Sequence, residues 1–306
     1  MSKRNIILIT LDSLRADHCS FIGYPRRTTP TIDKMAKNGL YFENAIAAQL
    51  PTPLSMFNVF TAEYYIDFGK PLHVGIKEQF CGKKTLAELL SKMRYTTIAI
   101  NKNPYIPSSY GYGKGFSVIG EYTESKMHRL LYKFFKINRS LADLILGTGI
   151  SSNWERQFSD IIKILKEVKR PYFLWIILLD THIPYIPPKR KWSKWFDNYI
   201  INYKISKMGW RGYLNSEEKQ KLINAYDDCI SYADQFIDRL MEETDEDDPI
   251  FIVHADHGDG FGEHGFYHHP PMLYEELIHV PLVIYNADVK GKVEDPVSLL
   301  GLSPSI

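Results

Sequence analysis

At 306 residues and 44% hydrophobic composition, the chain can bury a substantial core in one large domain. Its formal net charge of +1 supplies no global attraction for nucleic acid or an anionic membrane, so no nucleic-acid partner is expected. Cys19, Cys81 and Cys229 are odd in number, far apart and in no C-x-x-C spacing. They read as three reduced, buried thiols of a cytosolic protein.

Met1-Ser-Lys-Arg leads directly into Asn5-Ile-Ile-Leu-Ile-Thr-Leu11. That apolar run is too short for the usual layout of a signal peptide, lacks a small-residue cleavage site and ends at Asp12. No segment reaches the roughly 18 to 20 apolar residues of a membrane span. A soluble, cytoplasmic protein is expected, with any anchor beyond Ile306 lying outside this sequence.

Ile6–Leu11 reads as a strand covered on both faces. Thr29-Pro30 opens a helix, with threonine as N-cap, proline in the first turn, Ile32, Met35 and Ala36 as its apolar stripe and Gly39 at its end. Thr85 caps a second helix through Met93, which leads into a strand over Thr96–Ile100. An amphipathic helix over Ile161–Val168 precedes the strand Tyr172–Leu179. A long helix with Leu222, Ala225, Tyr226, Ile230, Ala233, Phe236, Ile237 and Leu240 on one side precedes the strand Ile250–Val253. Val280–Tyr285 is the last clear strand.

This alternation predicts an α/β sandwich with a mostly parallel central sheet and helices on both faces. Ligands gather beyond the carboxyl ends of such strands. Asp12 follows the first strand, Asn101-Lys102-Asn103 the second, Asp180-Thr-His182 the third and a histidine-rich loop the fourth. Two stretches fit the alternation less well: the aromatic and basic Glu121–Gly149, and Lys189–Trp210 with Trp192, Trp195 and Trp210 among lysines. Each is either a lid or rim over the site, or a solvated basic face.

The loop beginning His254-Ala-Asp-His-Gly-Asp259 carries the densest chemistry. Six of the ten histidines lie between His254 and His279, with Asp256, Asp259, Glu263 and four glycines that let the backbone bend. A divalent cation activating an oxyanion needs hard ligands delivered from separate strand ends, and Asp12, Asp256 and His257 can supply them. Thr52 sits between two prolines at the start of an apolar helix. A helix start offers unpaired N–H groups to a phosphate or sulfate, and a hydroxyl there could coordinate the metal, ionise and attack. A plain N-cap by Thr52 or Ser55 is the competing reading.

Asn5 to His18 (NIILITLDSLRADH), Thr28-Thr-Pro-Thr-Ile-Asp33 and Gly39-Leu-Tyr-Phe-Glu-Asn-Ala45 together resemble the opening of the sulfatase family in the alkaline phosphatase superfamily. Asp180-Thr-His-Ile-Pro-Tyr185, Ala255-Asp-His-Gly-Asp259, Gly262-Glu-His-Gly265 and Tyr274 to Leu282 (YEELIHVPL) continue the match in the family's order over nearly the whole chain. The resemblance implies that Asp12, Asp256 and His257 bind the metal and that Thr52 occupies the nucleophile position. Lys102 or Asn103, His182 and His269 fall where family members hold anionic oxygens or assist the leaving group. His264 is placed with Asn103 among the substrate-binding candidates, and Asp259, His264 and His268 could each orient a ligand or bind a second ion.

One departure bears on mechanism. Sulfatases that use formylglycine make it from Cys or Ser in a C/S-x-P/A-x-R signature, whereas this chain has Thr52-Pro-Leu-Ser-Met56. Threonine cannot yield that aldehyde because its carbinol carbon already bears a methyl group, so no formylglycine is expected. Threonine is the residue of the superfamily's phosphodiesterases and phosphoethanolamine transferases. The expected cofactor is one divalent cation, with manganese or zinc favoured by the histidine and calcium or magnesium as alternatives. The expected activity is hydrolysis of a sulfate or phosphate ester, in a small-molecule or glycan- or lipid-like anionic substrate. A phospho-group transferase and a non-catalytic binding protein are the alternatives. Val297–Ile306 resembles the segment after which relatives enter a small C-terminal subdomain, so residues 1–306 read as one catalytic domain without that subdomain, or as a fragment. These motifs do not specify an oligomeric state.

Overall fold

The structure, a computed structural model, describes residues 3–121 and 154–306. Apolar runs bounded by polar turns become the inner strands of one nine-stranded sheet. Its strands are β1 (Ile6–Leu11), β2 (Leu40–Ile46), β3 (Thr96–Asn101), β4 (Val118–Glu121), β5 (Tyr172–Leu178), β6 (Ile250–Ala255), β9 (His279–Tyr285), β10 (Gly291–Val293) and β11 (Val297–Ser298). β7 (Gly260–Phe261) and β8 (Tyr267–His268) form a small separate hairpin. The order across the sheet is β10-β2-β9-β6-β1-β5-β3-β4, with β11 also on β2. β9 runs antiparallel to β6 and β2, and the other pairings are parallel. Every residue of β1 and β5 is buried, as strands covered on both faces require.

Register decides where the chemistry goes. Leu11 lies opposite both Leu178 and Ala255, and Asn101 opposite Ile177. The strand ends before Asp12, Lys102, Asp180 and Asp256 therefore share one edge of the sheet, where ligands of open α/β folds collect.

Helices flank the sheet: α1 (Pro30–Asn38), α2 (Thr52–Thr61), α3 (Leu72–Gly82), α4 (Leu86–Lys92), α5 (Glu155–Glu167), α6 (Trp195–Met208) and α7 (Ser216–Glu243). α1 packs on α7 and β9, α6 packs on α7, and α2 packs against α3 and α4. The Thr85 cap is present as a reciprocal capping box with Glu88, and Asn215 and Glu218 form another at the start of α7.

Several expectations need correction. Thr29 does not cap α1 with its side chain; its hydroxyl donates to Asp33 Oδ1 (2.9 Å). The buried Asp234 carboxylate of α7 instead accepts from the N–H groups of Thr31 (2.8 Å) and Ile32 (3.0 Å). A remote acid thus does what a local hydroxyl was expected to do. Cys19 and Cys229 are buried, but Cys81 is exposed, because its position on α3 faces away from the core. β9 is not the last strand, since β10 and β11 follow it on β2. β2 and α3 carried too little periodicity to be assigned from sequence. The stretch after Glu121 through Gly149 lies outside the described residues. Among the described residues, no helix is long and apolar enough to cross a membrane.

Candidate active site

Asp12 leaves the end of β1, and Asp256 and His257 leave the end of β6, so their ligand atoms all fall within 4.8 Å of one another. His257 Nε2 lies 3.4 Å from Asp256 Oδ2 and 3.9 Å from Asp12 Oδ1. All three residues are fully buried.

Neighbouring groups set their orientation. The Ser13 and His257 N–H groups donate to Asp256 Oδ1 at 3.1 and 3.0 Å. Ser13 takes φ 65°, a left-handed conformation that turns its N–H toward this carboxylate. The Ser13 hydroxyl donates to Asp12 Oδ1 (3.0 Å) and the Asn103 amide to Asp12 Oδ2 (2.8 Å). His257 Nδ1–H donates to the Gly258 carbonyl (2.8 Å), which leaves the Nε2 lone pair facing the carboxylates. The Tyr226 hydroxyl of α7 donates to the Ser13 carbonyl (2.7 Å) and accepts from the Arg15 N–H (2.9 Å), which holds the turn after Asp12.

The cluster fits a divalent cation. Asp256 Oδ2 is buried with no hydrogen-bond partner, which is costly for an anionic oxygen unless a positive charge meets it. Burial, and then the nearby Asp256 charge, push the Asp12 carboxyl up to about 7. Burial pulls the His257 imidazole down, but the Asp256 and Asp12 carboxylates outweigh it and raise its proton affinity. Two carboxylates and one imidazole are the hard and borderline donors that manganese or zinc takes.

Thr52 is the first residue of α2, and its Oγ1 lies 3.0 Å from His257 Nε2. Ser55, one turn on, donates to the Asp256 carbonyl (2.7 Å) and so pins the helix start to the β6 loop. Neither hydroxyl caps the helix. The anion site expected at this terminus is smaller than the sequence suggested. Pro53 has no N–H, and the Leu54 and Ser55 N–H groups donate to the Pro51 carbonyl at 2.8 and 3.2 Å. Thr52 N–H is the first-turn donor left without a partner among the described residues.

His269 lies tilted beside His257 with ring centroids 4.5 Å apart, and His182 lies 5.3 Å from His269. His269 Nδ1–H donates to Asp259 Oδ1 (3.2 Å), and the other Asp259 oxygen accepts from the Tyr185 hydroxyl. His182 Nδ1–H donates to the Ile183 carbonyl (2.6 Å). Burial lowers the proton affinity of both rings. Burial works against the Asp259 anion, yet the hydrogen bond and charge of His269 hold it well below the usual carboxylate range.

The remaining predicted residues divide. Asn103 is spent on Asp12. Lys102 is half-buried and makes no hydrogen bond or ion pair among the described residues. His264 is not brought to the cluster: it is exposed, stacks on Tyr274 at 3.9 Å and sits 3.5 Å from Glu276. His268 Nε2 faces the Ile205 carbonyl (3.4 Å) and His279 Nε2 the Glu43 carbonyl (2.7 Å). His254 belongs to the core. There the Trp175 indole N–H donates to Thr10 Oγ1 (3.1 Å), which donates in turn to His254 Nε2 (2.9 Å). Of six clustered histidines, only His257 and His269 therefore reach the centre. Sequence reasoning gave no role to Ser13 or Arg15, and offered Ser55 only as a helix cap. Arg15 is buried, and its guanidinium joins Asp17 (2.7 Å), Glu263 (2.7 Å) and the Asp259 carbonyl (3.1 Å). Its position three residues after Asp12 was the available signal.

The chain is similar to known proteins in sequence and in fold. The arylsulfatase of Clostridium perfringens is 25% identical over 96% of this chain and 72% of its own length. Among solved structures, the phosphonate monoester hydrolase of Agrobacterium radiobacter superposes with a TM-score of 0.72 at 18% identity, covering 99% of this chain and 72% of that one. The soluble domain of lipooligosaccharide phosphoethanolamine transferase A from Neisseria meningitidis gives 0.62 at 16% identity, over 98% and 85% of the two chains. The C-terminal periplasmic domain of EcEptC from Escherichia coli, solved in complex with zinc, gives 0.65 at 16% identity, over 99% and 81% of the two chains. The sulfatase family model matches residues 4–306, and the chain belongs to the sulfatase family.

 

At such identities the three structural likenesses show the fold alone, and membership of the sulfatase family rests on the family model over residues 4–306.

Proposed function

We propose that this chain is a metal-dependent hydrolase of sulfate or phosphate esters that uses Thr52 as its nucleophile, with phosphate-type esters favoured. The observation that carries the reading is the buried Thr52 hydroxyl, 3.0 Å from His257 Nε2 and beside the Asp12–Asp256 pair. A cation held by Asp12, Asp256 and His257 would supply the positive charge that favours the ionised hydroxyl, with manganese or zinc preferred and calcium or magnesium as alternatives.

The chain's own residues account for the rest. The ionised Thr52 oxygen attacks the phosphorus or sulfur centre; that bond forms as the bond to the leaving oxygen breaks. His182 and His269 present ring nitrogens not engaged by the protein among the described residues. An anionic oxygen between them raises their proton affinity, so they can donate to the non-bridging oxygens, with Lys102 adding charge from the rim. Asp259 keeps the His269 ring turned inward. Water then attacks the phosphorus or sulfur of the covalent ester as its bond to the Thr52 oxygen breaks; the acid product departs carrying the water oxygen, and a proton from that water restores the threonine hydroxyl. The substrate class proposed is a small-molecule or glycan- or lipid-like anionic ester.

The test is a screen of aryl phosphates, phosphodiesters, phosphonates and sulfates with each divalent metal, together with Thr52→Ala. Turnover in the variant should fall on the order of 10³-fold or more. Full turnover by Thr52→Ala would overturn the nucleophile assignment.

A second reading, a phospho-group transferase, is favoured by threonine standing where formylglycine precursors have Cys or Ser, and by the likeness to a phosphoethanolamine transferase domain. Adding alcohol acceptors separates the two: transfer product at the expense of hydrolysis supports the transferase.

A further inference from the structure

The outer face of α6 is apolar where a surface helix should be polar. Phe196, Ile200 and Tyr203 recur at helical spacing and are 67%, 52% and 51% exposed. The opposite face, Asn198, Ile201, Asn202 and Ile205, is the buried one, so the outward apolar residues are additional to those that seat α6. Trp195 at its start, and Trp210 and Tyr213 just after its end, are also exposed. Contiguous aromatic and aliphatic surface of this kind marks an interaction site.

The charge around it is one-sided. Lys191, Lys194, Lys207 and Arg211 are exposed and make no ion pair among the described residues. The neighbouring acids are already engaged, Asp197 and Glu217 with Lys221 and Glu218 with Lys204. The cations lie against the aromatic rings: Lys191 Nζ is 4.7 Å from the Trp192 centroid and Lys207 Nζ is 5.6 Å from that of Tyr203. A net formal charge of +1 conceals this local segregation.

We propose that the outer face of α6 docks on an anionic membrane surface, with Trp195, Phe196 and Ile200 entering the interfacial layer and the surrounding lysines and Arg211 meeting lipid headgroups. Charge complementarity selects this occupant. A second copy of the chain would bring the same cations to the contact. Residues 122–153 carry five lysines or arginines against two carboxylates, so that segment is like-charged too. Exposed tryptophan and isoleucine beside lysines suit the boundary between headgroups and acyl chains better than a wholly polar polyanion.

The face also bears on the site. Asn202, on the inner side of α6, exchanges hydrogen bonds with the Tyr185 backbone (2.8 Å each way), and Tyr185 holds Asp259. The Trp210 carbonyl accepts from the Tyr267 N–H (2.9 Å) in the loop that carries His269. Docking would therefore engage an element that supports the site from its inner side, whether the chemistry there is hydrolysis or transfer.

The experiment is co-sedimentation of the intact chain with phosphatidylcholine vesicles, with and without phosphatidylglycerol, at low and high salt. The expected result is binding to the phosphatidylglycerol vesicles that weakens as salt rises. F196S/I200S and, separately, K191E/K194E/K207E should each lower it by about tenfold or more, with turnover of a soluble aryl ester and thermal stability unchanged. Absence of binding to the anionic vesicles overturns the proposal, as does equal binding by F196S/I200S. A marked fall in melting temperature for F196S/I200S would show that the chain itself covers this face. A concentration-dependent dimer abolished by the same variant would assign the face to a second copy. Either outcome also overturns the proposal.

Discussion

The two oxygens of Asp256 have different surroundings. Oδ1 accepts two backbone N–H bonds, while Oδ2 is buried with no partner and points toward His257 Nε2. An oxygen left this way is open to a cation, while its twin holds the carboxylate in place. Asp256→Asn should therefore keep the fold, because an amide oxygen can still accept from Ser13 and His257. It should weaken manganese or zinc binding by about 100-fold or more, read by titration calorimetry; unchanged affinity would remove Asp256 from the metal set. His254 lies a few residues away and behaves differently. Burial depresses its imidazole to about 4, below its ordinary value of 6.5. The unfolded chain then binds more protons below pH 6.5, so the stability from keeping His254 neutral is complete above that pH. It is lost as pH falls toward 4, by on the order of 1–3 kcal/mol. His254→Gln should flatten this part of the acid limb in urea unfolding measured between pH 7 and 4. An identical pH slope would show that another group governs acid loss.

At the scale of elements, α7 does more than bury an apolar stripe. Three of its carboxylates are buried and each serves another segment: Asp234 caps α1, Asp228 accepts from the N–H groups of Lys191 and Ser193, and Asp227 meets His18, Tyr24 and Arg26. Asp234→Ala strips two N–H groups of their acceptor in the first turn of α1 and should cost about 2 kcal/mol in denaturant unfolding. A loss below that of Thr29→Ala would restore the local cap. The long apolar stripe of α7 was legible because period 3.6 is a local property. The function of its acids was not, because an aspartate that will cap a distant helix looks the same in sequence as one facing water. The histidine loop fails to read for a similar reason. Gly262, Gly265 and His268 all adopt positive φ, so neighbours in sequence are turned apart: His264 reaches the surface while His269 returns to the centre.

For the whole molecule, the site is where four parallel strands end on one edge, and it holds two buried acids near one another. A cation that binds only the folded chain should raise stability by about 2.7 kcal/mol at a hundredfold excess over its dissociation constant. Thermal unfolding with manganese or zinc should show a rise of several degrees, absent in Asp256→Asn; equal shifts in both proteins would place the binding elsewhere. By itself the sequence determined the α/β alternation, the strand ends with acids after them, and the threonine in place of a formylglycine precursor. Each of these depends on residue type and short-range spacing, which do not change on folding. Only the tertiary structure decided which histidines converge, that Asn103 serves Asp12, that Asp234 caps α1 and that α6 turns an aromatic face outward. These depend on strand register, backbone direction in the loop and what lies across the chain, and they exist only once distant segments have packed together.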